Sequence, residues 1–133
     1  MPKKRYFYKG TRVSKGEKKI AEYLTRNEIN FSREYSFPDL ISAKNCRLRF
    51  DFFIPDFELL IEFQGQHHFN PVNKHKRAKI VHRKTVLHDK LKEEYCSKNK
   101  IRLLRIPYSK FDEIESILDL ITNAIKKSLA APP

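Results

Sequence analysis

Tryptophan is absent from these 133 residues, and cysteine occurs only twice, at Cys46 and Cys96. The two cysteines form neither a CxxC pair nor a zinc-ligand spacing, and they make no disulfide framework, so a reduced, cytoplasmic compartment is expected. No apolar run approaches a membrane span, and none follows the basic start MPKKRYFYKGTR as a signal peptide requires; a soluble protein without a membrane partner is expected. Acidic residues are also scarce. Sixteen Asp and Glu face 28 Lys and Arg, a formal charge of +12, which favours association with phosphate backbones and makes it salt-dependent.

What is present supports a packed core. Hydrophobic residues make up 40% of the chain, with ten Phe and six Tyr, and a chain of this length buries roughly two-thirds of its unfolded surface. A single domain over residues 14–130 is expected, preceded by a basic arm, residues 1–13, in which Lys3, Lys4 and Arg5 precede Tyr6, Phe7 and Tyr8. That mixture suits phosphates and base faces, or equally a solvated tail. No internal repeat or low-complexity segment interrupts the domain.

Ser14 followed three residues later by Glu17 is a capping box, and Ile20, Ala21 and Leu24 supply the apolar stripe of a first helix. Phe31 to Phe37 reads as a strand stopped by Pro38 and Asp39, and Ile41 to Cys46 as a loop. Leu48, Phe50, Phe52 and Ile54 alternate with Arg49, Asp51 and Phe53, which predicts a strand with the two sets on opposite faces. Pro55-Asp56 turns the chain into a second strand, Glu58 to Phe63, and an antiparallel hairpin is expected. From Lys74 to Asn99 there is neither Gly nor Pro, and apolar spacing predicts a helix over about 79–98. Its start carries Lys74, Lys76, Arg77, Lys79, Arg83 and Lys84, unfavourable for the helix dipole but suited to a passing phosphate backbone. IRLLRI, 101–106, is a short buried strand, and Ile114, Ile117, Leu118, Ile121 and Ile125 mark an amphipathic last helix over 112–129.

The hairpin LRFDFFIPDFELLIEFQGQHHF, residues 48–69, holds the chemistry. Asp51 lies in one apolar run and Glu62 in the next, although burying an unpaired charge costs several kcal/mol in order of magnitude. Pairing across a tight turn can gather Asp51, Glu62 and Gln64 at one edge of the sheet. A divalent cation would compensate the two acids.

This order of acids and elements, over roughly 15–108, resembles the PD-(D/E)XK nuclease superfamily. The segments IEFQGQHHFNPV and HDKLKEEYCSKNKIRLLRIPY are most similar to very-short-patch-repair-like nucleases and the EDxHD homing endonucleases. The resemblance implies an α/β fold with a mixed central sheet flanked by helices, a restriction-endonuclease-like core in the order helix, strand, hairpin, helix, strand, helix. It implies that Asp51 and Glu62 are metal ligands, with the Phe63 carbonyl completing the set around Mg2+ or its substitute Mn2+. It further implies that Gln64 stands where the superfamily more often has lysine, and that His68 is the motif histidine, favoured over the neighbouring His67. Asp89 is then the final acid of the motif and Glu17 the helix glutamate.

Such a set suits phosphodiester hydrolysis. A hard cation takes oxygen ligands and offsets charge at phosphorus, a histidine exchanges a proton near neutrality, Asp89 orients that imidazole, and Glu17 supports from outside the ligand shell. A Mg2+-dependent DNA endonuclease is therefore expected, as a homodimer if both strands are cut. Gln64 in place of lysine keeps two alternatives open: a DNA-binding subunit with weak or no turnover, and a nuclease module of a recombination or transposition complex. Taken one at a time, Glu17 is also explained as a capping residue, and Asp89 with Lys92 as a helix-surface pair.

Overall fold

The computed structural model describes residues 7–8, 11–65 and 76–130. Ser14 caps the first helix as its sequence predicts: the Glu17 amide donates to Ser14 Oγ at 3.2 Å, and α1 runs Lys15–Arg26. A short antiparallel pair, β1 (Phe7–Tyr8) and β2 (Thr11–Arg12), precedes it. β3 (Ser32–Ile41), β4 (Arg47–Ile54), β5 (Leu59–Gln64) and β6 (Arg102–Pro107) form one four-stranded mixed sheet in the order β3-β4-β5-β6. β3, β4 and β5 are antiparallel neighbours, and β6 lies parallel to β5. The crossover between β5 and β6 contains α2 (Lys76–Asn99), and α3 (Ile114–Ala130) closes the chain. Among the described residues no helix is long and apolar enough to cross a membrane.

The sheet is covered on both faces. Ile20, Leu24, Phe52, Ile54, Leu59, Ile61, Ile106, Ile114 and Leu118 form a core between the sheet and the α1/α3 layer. Leu40, Leu48, Phe50, Leu60 and Cys96 form a second core under α2, extended by Tyr35, Phe37, Phe53 and Tyr95. The antiparallel hairpin turns through a 3-10 segment, Pro55–Phe57, with Glu58 in the left-handed region at φ 47°. The mixed α/β architecture agrees with the sequence-based expectation.

Two expectations about the strands need correction. β3 is not stopped at Pro38 but continues to Ile41, with a register shift between Ser36 and Ile41. Proline is tolerated there because β3 is an edge strand, where a missing amide can face away from the ladder. The second correction concerns faces. Leu48 and Phe50 pack under α2, whereas Phe52 and Ile54 pack under α1 and α3. β3 changes sides at the same level, since Phe31 packs on Phe52 while Tyr35 and Phe37 join the α2-side aromatics. The cause lies at Glu34, whose φ of 50° is left-handed. The ladder pairs Arg33 with Phe52 and Tyr35 with Phe50 and omits Glu34 and Asp51, which face each other at the break. A left-handed residue rotates the pleat locally, so burial still alternates while the buried face changes.

Candidate functional site

That break is where the acids meet. Glu17 from the first turn of α1, Glu34 from β3 and Asp51 from β4 place one carboxylate oxygen each within 4.8 Å of one another. α1 reaches the sheet because residue 16 is glycine: a Cβ there would stand 2.4 Å from the Phe63 ring, so the ring occupies the space a side chain would take. The β4-β5 ladder extends only to Phe52 and Ile61. Just beyond it, the Phe63 amide donates at 2.8 Å to Asp51 Oδ2. In an extended strand the N–H and C=O of one residue point to the same side, so the Phe63 carbonyl is turned toward Asp51 as well.

Burial pushes the Asp51 carboxyl up to about 7, with the Glu17 charge adding to the rise and the Phe63 amide opposing it. Glu17 is also raised, first by burial and then by Glu34, while Arg33 and Ser14 oppose the rise. Arg33 is the nearby cation: its Nη2 lies 3.4 Å from Glu17 Oε2, and its guanidinium stacks over the Phe52 ring at 5.1 Å. Three carboxylates this close repel one another. A small divalent cation takes carboxylate and carbonyl oxygens as ligands, so this donor set fits Mg2+ or Mn2+.

Glu62 is placed differently. It is buried on the α2 side, where Lys92 Nζ donates to Oε2 at 2.6 Å and Arg105 Nε to Oε1 at 3.4 Å. Both of its oxygens thus meet a resident cation, and it stands outside the three-acid group. Lys92 comes from α2 and also lies 5.1 Å over the Phe50 ring. Arg105 ties further acids together: Nη2 donates to the Asp89 carbonyl at 2.7 Å and lies 3.9 Å from the Asp89 carboxylate, while Nη1 pairs with Glu93. Gln64, Asp89 and Arg105 line one groove with Val86, Lys90 and Glu93.

The structure therefore brings Glu17 to Asp51 and Asp89 to Glu62 through Arg105. His67 and His68 lie outside the described residues, as do Lys3, Lys4, Arg5 and Lys74. Lys76 and Arg77 begin α2, and their side chains lie outside the described residues. Lys79, Arg83 and Lys84 are exposed on α2. The Lys84 ammonium is held below its ordinary value by Lys44 of the β3-β4 turn, which lies against it. Two cations side by side make a place suited to an anion.

The chain matches no protein-family model, no curated protein and no solved structure.

Sequence reasoning missed Gly16, Arg33, Glu34 and Arg105 and read Lys92 as part of a surface pair. Lys92 had a signal, because it falls within the stripe Leu91, Tyr95 and Cys96, where a cation needs a buried partner. Glu34 had none, since its place opposite Asp51 depends on the β3-β4 register.

Proposed function

We propose that this protein is a Mg2+-dependent DNA endonuclease that hydrolyses phosphodiester bonds, with the restriction-endonuclease-like core its sequence suggests. The observation that carries the reading is the convergence of Glu17, Glu34 and Asp51 at a break in the sheet, on a chain of formal charge +12. A bound divalent cation would supply Lewis acidity and charge neutralisation at phosphorus. Asp51, Glu17 and the Phe63 carbonyl would hold it, and the Phe63 amide fixes the orientation of Asp51. Lys92 and Arg105 keep Glu62 compensated next to this set, and Asp89 is held against Arg105. His68 would exchange the proton, as its place in the motif suggests.

The experiment is cleavage of plasmid and oligonucleotide duplexes with Mg2+. Wild type should cut, and Asp51→Ala and Glu17→Ala should lose that activity; equal background rates in all three overturn the reading.

A second reading has its own support. Arg33 sits beside Glu17, and Lys92 and Arg105 occupy Glu62, so resident cations already answer much of the acidic charge. On this reading the protein is a DNA-binding subunit without turnover. Salt-dependent DNA binding with no calorimetric Mn2+ binding would favour it.

A further inference from the structure

α2 crosses over between the parallel strands β5 and β6, so the three elements form one β-α-β unit. A groove of about 530 Å³ opens at the C-terminal end of β5, on the side of the sheet where open α/β folds bind their ligands. Val86, Asp89, Lys90 and Glu93 line one wall, at the three- and four-residue steps that share a helix face. Gln64, the last residue of β5, and Arg105 of β6 line the other.

Gln64 is the unusual member. It lies two residues after Glu62 on the same strand, so its side chain leaves the sheet on the α2 side, as that of Glu62 does. Only 9% of it is exposed, yet among the described residues its carboxamide has no hydrogen-bond partner. Buried amides are almost always paired in folded proteins, because their lost contacts with water must be replaced. A donor and an acceptor therefore stand side by side in the groove without a partner.

The charges around them do not call for an ion. Arg105 commits its three guanidinium nitrogens to Glu62, Asp89 and Glu93. With Lys90, the lining carries two cations, and Asp89 and Glu93 balance them. Val86, half exposed, adds an apolar contact on the helix side. A neutral, flat group with adjacent donor and acceptor fits such walls, and a nucleobase has that chemistry. The carboxamide of glutamine pairs in bidentate fashion with adenine. Gln64 lies too deep to reach a base edge inside an intact duplex, so the base must come to it unpaired.

We infer that this groove receives one unpaired nucleobase of a bound DNA strand, adenine above the others, with Gln64 reading its edge. The inference takes DNA as the partner from the proposed function but does not require cleavage. It assigns Gln64 to recognition of the strand rather than to the reacting phosphate.

The test uses the full chain in EDTA, where no metal-dependent cleavage occurs, and short fluorescein-labelled oligothymidylates with or without one central adenine. Anisotropy measures the affinity for each. Wild type should bind the adenine-bearing strand at least about fivefold more tightly, the lower end of what a bidentate base contact contributes. Gln64→Met keeps the length of the side chain and removes its amide; it should bind both strands alike, at the wild-type affinity for oligothymidylate, with circular dichroism checking the fold. A second arm needs no variant. Replacing the adenine by purine, which lacks the 6-amino donor, should remove most of the preference of wild type. Equal binding of the two strands by wild type, an unchanged preference in Gln64→Met, or purine bound as well as adenine overturns the inference. If the preference is present and wild type never cuts with Mg2+, the base site stands and the nuclease reading falls. If wild type cuts and shows no preference, the base site alone falls.

Discussion

The Phe63 ring occupies the space that a side chain on Gly16 would fill, while the Phe63 amide donates to Asp51 Oδ2 at 2.8 Å. One residue of β5 thus seats the first turn of α1 and orients the half-buried aspartate. Disturbing either contact should be felt at the acid cluster.

Gly16→Ala places a Cβ 2.4 Å from that ring. Overpacking of this kind typically costs about 1–3 kcal/mol. Thermal unfolding should show a lowered midpoint, and a midpoint equal to wild type would mean that the ring moves away freely.

Asp51 should make stability depend on pH. Its carboxyl titrates near 7 in the folded chain against an ordinary 3.8. Below pH 3.8 it is protonated in both states and costs nothing. As pH rises from 3.8 toward 7 the unfolded chain ionises first and is favoured, so stability is lost across that window, on the order of 4 kcal/mol at most. Asp51→Asn should therefore stabilise the metal-free protein at pH 8, with the gain shrinking toward pH 4. Parallel melting curves at several pH values check it, and a gain that grows toward acid would contradict it.

Glu34 adopts a left-handed conformation opposite Asp51. An L-residue there carries a strain of roughly 1–2 kcal/mol, and glycine removes it at an entropic cost of roughly 0.5–1 kcal/mol. Glu34→Gly also removes a charge that raises both Asp51 and Glu17. The variant should melt at or above the wild-type temperature without metal and bind Mn2+ more weakly by calorimetry. Lower stability together with unchanged Mn2+ binding would show that Glu34 serves packing alone.

Lys92 and Glu62 should be strongly coupled in stability. Lys92→Met leaves the buried Glu62 carboxylate with only the longer Arg105 contact, and breaking a buried pair costs about 3–5 kcal/mol. Lys92→Met combined with Glu62→Leu removes the stranded charge and should be less destabilised than Lys92→Met alone. Denaturant unfolding of the four proteins measures this, and simple additivity would sink the expectation.

Much of the architecture follows from local rules. The capping box at Ser14 and Glu17 starts α1, period-two burial marks β4, and the apolar spacing of Ile114, Leu118 and Ile125 marks α3. Such signals concern neighbours within a turn or a strand, which the chain order itself supplies. The presence of Asp51 and Glu62 in buried strands was equally legible, because charges in apolar runs stand out.

The partners of those two acids were decided by the tertiary structure. A left-handed residue at Glu34 turned two strands and sent Asp51 toward Glu17, while the parallel placement of β6 and the packing of α2 delivered Arg105 and Lys92 to Glu62. These contacts join residues distant in the chain, and no local pattern encodes register or pleat rotation. The sequence determined that two buried carboxylates would need compensation; the sheet break and helix docking determined that Asp51 meets other acids and Glu62 meets cations.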